Sequence, residues 1–213
     1  MSARPVRPPT RILLTRHGQT VANREGRFCG QSETPLTDFG VRQANALADR
    51  LAGTGIQAAY ASDLSRASET AARIVDGRGL ELMLDPRLRE IFYGDWEMWR
   101  EREIAKRDPE GFALMRAEDP AWRPPGGEAI AEVRGRTFAA IQAIAKRHAH
   151  QTVLVVSHGD ALLALVAEVL AIPLEKTYRL EIANCSLSEL SMRGGKLALV
   201  RLNDTSHLDG LKA

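Results

Sequence analysis

The run Thr152-Val153-Leu154-Val155-Val156 narrows the possible folds more than any other part of the chain. It is β-branched almost throughout and lacks polar alternation, so it suits a strand buried on both faces, in the middle of a parallel sheet covered by helices. It breaks at Ser157-His158-Gly159-Asp160, after which Ala161 to Leu170 reads as an apolar helix. The same succession occurs upstream. Arg11 to Thr15 is a short β-prone run that stops at Gly18, and the polar segment after it can open a helix. Val41, Ala44, Leu47, Ala48 and Leu51 stand at helical spacing behind a Thr37 or Asp38 N-cap, and Gly53 and Gly55 close that pattern. Ile56 to Ala61 predicts a second strand, and Ser62-Asp63 the start of a helix that runs to about Ile74. Glu81 to Leu84 predicts a third strand, and Glu128 to His148 a long helix.

Alternation of this kind predicts an α/β fold, a three-layer sandwich with a mostly parallel central sheet between helices. Ligands of such sheets bind beyond the C-terminal ends of the strands, so function is expected just after residues 15, 61 and 156. Between Arg87 and Gly127 the character changes. All three tryptophans (Trp96, Trp99 and Trp122) fall there, with Asp-Pro breaks and the turn Pro124-Pro125-Gly126-Gly127, which suggests a small helical cap inserted at about 88–127. Phe92 and the tryptophans either stack on a sugar or base or pack the cap onto the sheet, and packing is the better-founded expectation. Near the end, Thr177 to Glu181, Ser186 to Ser191 and Lys196 to Arg201 are strand candidates, the last two joined through Arg193-Gly194-Gly195 as a hairpin. Residues 1–10, with Arg4 and Arg7 among prolines, read as a flexible arm rather than a basic docking tail, 11–206 as one catalytic domain, and 207–213 as a tail.

Bulk properties exclude several function classes. A net charge of +2 over 213 residues gives no reason to expect nucleic acid or a membrane surface as partner. No apolar run approaches the ~20 residues of a membrane span, the N-terminus has no secretory apolar core, and Cys29 and Cys185 form neither a metal knuckle nor a redox pair. A cytoplasmic protein without metal or other cofactor is the expectation.

The three strand ends carry Thr15-Arg16-His17-Gly18, Ser62-Asp63-Leu64-Ser65-Arg66 and Ser157-His158-Gly159-Asp160. Two histidines and two arginines would therefore converge on one crevice. Arginine forks and helix N-termini suit a phosphoryl group. There is no Walker A loop and no carboxylate cluster suited to Mg²⁺, so a side chain must be the nucleophile, and His17 is placed for it. His17 must attack as neutral imidazole, a state that Arg16 and Arg66 favour, with its other nitrogen donating to a backbone carbonyl.

Leu14-Thr15-Arg16-His17-Gly18-Gln19-Thr20 resembles the Arg-His-Gly signature of the histidine phosphatase, or phosphoglycerate mutase-like, superfamily, and the likeness extends through most of the chain. The resemblance implies that His17 is phosphorylated, that Arg16 and Arg66 bind the phosphoryl group, that His158 is the second histidine, and that Glu90 transfers protons. It also implies that Asn23 lies near the phosphate and Cys29 lines the pocket, with Gly30 and Gly159 completing the expected substrate contacts. A carboxyl beside an anionic substrate is disfavoured in its charged form, so Glu90 can protonate a leaving alkoxide and then deprotonate water. His158, when protonated, would donate to a phosphoryl oxygen.

Phosphoglycerate mutases of this kind follow the catalytic glutamate with Arg-His-Tyr-Gly, where this chain has Ile91-Phe92-Tyr93-Gly94. Pro124-Pro125-Gly126-Gly127-Glu128 and the closing Asn203 to Leu208 resemble the small phosphatases, among them broad-specificity and α-ribazole phosphatases. The expected function is thus a metal-independent phosphomonoester hydrolase acting on a small phosphometabolite. A phosphoglycerate mutase and a non-catalytic phospholigand-binding regulator are the alternatives, and homodimers are frequent in similar proteins. Asp160 reads more simply as a helix first-turn carboxylate than as a ligand contact, and Arg73, Arg78, Arg134 and Arg136 as solvated.

Overall fold

The computed structural model describes residues 7–117, 119 and 122–212. Most of the arm predicted over residues 1–10 lies outside the described residues. Its last residue, Thr10, is buried and already belongs to the first strand.

The chain runs β1 (Thr10–Arg16), α1 (Val21–Glu25), α2 (Asp38–Arg50), β2 (Ala58–Ala61), α3 (Ser65–Val75), β3 (Leu82–Leu84), α4 (Glu101–Arg107), α5 (Pro109–Arg116), α6 (Ile130–Arg147), β4 (Thr152–Ser157), α7 (Gly159–Val169), β5 (Leu187–Arg193) and β6 (Lys196–Asp204). The sheet order is β3-β2-β4-β1-β5-β6; β3, β2, β4 and β1 are parallel, and β5 and β6 complete the sheet antiparallel. The β-branched run is, as its composition predicts, an interior strand, hydrogen-bonded to β1 on one side and β2 on the other.

Alternation along these strands divides the core in two. Ile12, Leu14, Val153 and Val155 face α6 and α7 with Ile141, Ile144, Leu162 and Val166. Leu13, Leu154 and Val156 face α2 and α3 with Leu47, Ala67 and Ile74. Each such side chain, fully buried, contributes ~1.5–3 kcal/mol of hydrophobic stabilisation. This double burial keeps β1 and β4 in register from Arg11↔Thr152 to Arg16↔Ser157, so their C-terminal ends stop side by side. The crevice is there because the chain leaves β1 outward for β2 and β3 and returns to insert β4 between β1 and β2.

Four sequence expectations are corrected. Thr177 to Glu181 is not a strand: Leu174–Arg179 forms a 3₁₀ turn after Pro173, because the free edge of β1 is already occupied by β5. The helix after β2 starts at Ser65 rather than Ser62; Leu64 is its N-cap residue, and Glu33 from another loop accepts from Ser65 N–H and Oγ–H. Arg136 is not solvated. It reaches from α6 to the segment that opens the cap, donating to the Arg87, Arg89 and Glu90 carbonyls and the Glu128 carboxylate. Arg78 likewise caps carbonyls of Leu51, Thr54 and Ile74.

The hairpin between β5 and β6 turns through Gly194 and Gly195, both at positive φ, as a tight two-residue turn demands. Trp96 is fully buried, donates from Nε1 to Asp108 at 3.0 Å, and meets Trp122 at a ring separation of 5.1 Å. Trp99 lies under the Arg107 guanidinium. Packing accounts for the Trp96 and Trp99 rings. No helix among the described residues is long and apolar enough to cross a membrane.

Candidate active site

A cavity of about 590 Å³ opens at the ends of β1 and β4. Arg16, His17, Asn23, Cys29, Arg66, Glu90 and Gly159 line it, bringing together all but two of the residues singled out from the sequence. Gly30 does not line the cavity, and a Cβ there would stand 2.2 Å from the Ile91 carbonyl; its own carbonyl accepts from Arg66 Nη2 at 2.5 Å, so it orients the arginine instead of meeting a ligand. His158 is fully buried beside His17, their ring centroids 5.1 Å apart.

His17 follows the last residue of β1, where its N–H still bonds the Ser157 carbonyl of β4. Its Nδ1 is 2.8 Å from the Gly18 carbonyl. A carbonyl can only accept, so Nδ1 carries the proton and Nε2 keeps its lone pair. Gly18 has to be glycine: a Cβ there would stand 2.5 Å from the Gly40 carbonyl in the first turn of α2. Its N–H donates to Thr70 Oγ1, which in turn donates to the Arg66 carbonyl. Asn184 Nδ2 holds the His17 carbonyl at 2.9 Å. The imidazole is therefore fixed by β1, α2, α3 and the segment before β5. Burial, then the charges of Arg66 and Arg16, hold it well below the usual histidine range, and the neutral form prevails at neutral pH.

The two arginines are held by carbonyls. Arg66, on α3, is 1% exposed and donates to Ser32 and Gly30. Arg16 donates from Nη1 to the Ile182 carbonyl at 2.9 Å, while its buried Nε has no partner among the described residues. Asn23 caps α1 jointly with Thr20 and takes a further bond from Asn184 on Oδ1, which leaves the amide nitrogen as the group available to a ligand. Burial pushes the Cys29 thiol up to about 11, so it lines the pocket as a thiol.

His158 differs from His17. Neither ring nitrogen has a hydrogen-bond partner among the described residues, although both are buried. Burial, then Arg66, His17 and Arg16, keep it neutral in the free protein, whereas the sequence reading considered its donor role for the protonated ring. Two orphaned ring nitrogens beside two arginines make a place that a phosphoryl oxygen can complete.

Glu90 reaches the N-terminus of α7. Its carboxyl accepts from Ala161 N–H at 3.1 Å and Asp160 N–H at 3.3 Å, and from its neighbour Ile91 at 3.0 Å. Burial and the adjacent Asp160 carboxyl nevertheless raise it to about 7 against the pull of Arg16 and Arg66. A carboxyl poised near neutrality can both give and take a proton at physiological pH. Ser157 Oγ–H bonds the Leu88 carbonyl at 2.8 Å and so ties the end of β4 to the segment that carries Glu90.

The sequence reading missed Tyr93, Asp160 and Asn184. Asp160 does stand in the first turn of α7, but its side chain lines the cavity and accepts from Tyr93 O–H at 2.5 Å. Its position directly after Ser157-His158-Gly159 was the available signal. Tyr93, which keeps the tyrosine of the mutase motif after Glu90, was the second available signal; Asn184 lies far along the chain from either strand end, and nothing local marks it.

The histidine phosphatase superfamily (branch 1) model matches residues 12–205. The chain is 35% identical over 203 residues to a protein of Yersinia pestis named probable phosphoglycerate mutase GpmB, covering 93% of this chain and 94% of that one. Among solved structures it is similar to Bacillus stearothermophilus YhfR (TM-score 0.90, 35% identity, 94% of this chain and 100% of the other). It is also similar to a putative α-ribazole-5′-P phosphatase of Escherichia coli (TM-score 0.85, 30% identity, 92% and 97%). Fold, motif positions and these relatives agree: the chain belongs to the histidine phosphatase superfamily.

Proposed function

We propose that this protein is a metal-independent phosphomonoester hydrolase that works through a phosphohistidine on His17. The observation that carries the reading is the tautomer lock: the Gly18 carbonyl accepts the Nδ1–H, so the Nε2 lone pair is free in a cavity lined by two arginines. In the first step Nε2 attacks phosphorus, a P–N bond forms as the P–O bond to the alcohol breaks, and the Glu90 carboxyl proton goes to the departing oxygen. In the second, the Glu90 carboxylate takes a proton from water, whose oxygen attacks the phosphohistidine. The P–N bond breaks, its pair returns to Nε2, and inorganic phosphate leaves. Arg16, Arg66 and an N–H of His158 stabilise the charge on the transferring oxygens.

Hydrolysis is favoured over mutase chemistry by what surrounds the phosphoryl site. Ile91 is buried in an apolar cluster with Ile130 and Val133 and does not line the cavity. Arg27 lines it, but Glu25 engages its guanidinium at 2.6 Å. A sugar acid with a second phosphate would find few free cations there and would meet Asp160 and Glu181. Release of p-nitrophenol from p-nitrophenyl phosphate in EDTA, lost in His17→Ala, is the expected result. Release abolished by EDTA, or retained in the variant, would overturn the reading.

A further inference from the structure

Beyond the phosphoryl end, the cavity is chemically lopsided. Asp160, Tyr93, Leu163, Leu180 and Ile182 line it together with Phe28. Tyr93 O–H occupies Asp160 Oδ2, and its ring packs edge-on against Phe28 at 5.1 Å. Oδ1 of Asp160 receives no hydrogen bond from any described residue, and Asp160 is only partly exposed, so this oxygen is an acceptor offered to whatever fills the cavity. Burial pushes the Asp160 carboxyl above the usual carboxylate range, against the pull of the Tyr93 O–H and the Arg16 charge.

Glu90 fixes which part of a substrate meets this acceptor. As the group that protonates the departing oxygen, Glu90 must stand at the alcohol side of the phosphorus, and its carboxyl is bonded by the backbone N–H of Asp160 itself. Asp160 is therefore on the alcohol side too. A substrate carboxylate brought there would add a third acid to the Glu90–Asp160 pair in a buried site, where like charges are costly. A hydroxyl or ammonium would satisfy Oδ1 with a hydrogen bond that a carboxylate cannot donate.

We infer that Asp160, oriented by Tyr93, selects phosphomonoesters whose alcohol carries a hydroxyl or ammonium donor close to the ester oxygen, and rejects those that carry a carboxylate there. This rests on the hydrolase reading for the placement of the leaving group and goes further by naming the substrate class.

Binding to the His17→Ala protein separates the two claims, because it needs no turnover. Isothermal titration with phosphoethanolamine, glycerol 1-phosphate and 3-phosphoglycerate should give Kd values about tenfold or more lower for the first two. In the His17→Ala/Asp160→Asn double variant that preference should collapse to within about twofold, and Tyr93→Phe on His17→Ala should weaken it partially. Equal or tighter binding of 3-phosphoglycerate, or a preference that survives Asp160→Asn, overturns the inference. Turnover of the same esters by the unmodified enzyme is measured alongside: a binding preference without phosphate release would sink the hydrolase reading and leave the selectivity of Asp160 standing.

Discussion

The ends of β1 and β4 are built alike and behave differently. Each strand stops at a histidine followed by glycine, each histidine is buried, and the two rings are 5.1 Å apart. Yet His17 has one nitrogen locked by the Gly18 carbonyl, whereas both nitrogens of His158 are unpartnered among the described residues. The β1 end thus presents a lone pair with a defined direction, and the β4 end presents a polar ring able to turn an N–H toward a ligand. Downstream the ends diverge further. After His17 the chain leads into the short helix capped by Thr20 and Asn23; after His158 it enters α7, whose first N–H groups hold Glu90. The two groups to which the proposed mechanism gives attack and proton transfer are therefore held at different places, His17 at the end of β1 and Glu90 at the start of α7. Hydrogen-bond surroundings, not position at a strand end, separate the roles.

The sharpest way to break this comparison is to ask which histidine carries the phosphoryl group. Alkaline quench of the enzyme with substrate, followed by peptide mass spectrometry, should find phosphate on the His17 peptide, and His17→Ala should lose on the order of 10³-fold or more in kcat. Phosphate on His158 instead would reverse the assignment.

Glu90→Gln should cost ~10²–10⁴-fold toward an alkyl phosphate and much less toward p-nitrophenyl phosphate, whose leaving group needs little protonation. Because the Glu90 carboxyl titrates at about 7 in the free protein, kcat/KM for the alkyl ester should fall as pH rises through that value. That fall should be missing from the variant; a pH profile identical in both would remove Glu90 from the proton path.

His158→Ala should lower kcat by ~10²–10³-fold, as loss of one donor to transition-state charge does, and His158→Gln, which retains an N–H, should recover part of it. Loss as complete as that of His17→Ala would mean that the two rings act as one unit.

The smallest expected effect is on stability. Glu90 is protonated more readily folded than unfolded, so its contribution is complete below the unfolded carboxyl range, near 4.5, and is lost as pH rises through about 7. Glu90→Gln should therefore melt a few degrees above wild type at pH 8, with the gap closing at pH 5. Calorimetric melting curves that keep a constant gap would show that the buried carboxyl is not what changes with pH.

Legibility followed locality. Residues at strand ends were readable because strand, break and helix are written consecutively, and both histidines and Arg16 occupy such breaks. Arg66 was readable because it falls within one turn of the break after β2. Glu90 came only through the resemblance: its role depends on the N-terminus of α7, and Asp160 and Ala161 are separated from it by the whole cap and α6. Arg136 looked solvated because helical spacing alone cannot show that the carbonyls of residues 87, 89 and 90 lie beside it. Thr177 to Glu181 has the composition of a strand, but a strand needs a neighbour, and β5 had taken the place.

The amino-acid sequence by itself determined the layered α/β architecture and the meeting of two histidines and two arginines at one sheet edge, since apolar periodicity and glycine breaks act over a few residues. Only the tertiary structure decided which carbonyl locks the His17 ring while His158 is left unpartnered among the described residues, why Glu90 sits near neutrality, and that Asp160 lines the cavity. These depend on carbonyls, N–H groups and burial supplied by distant segments, and the charge and tautomer of a side chain follow from what packs around it.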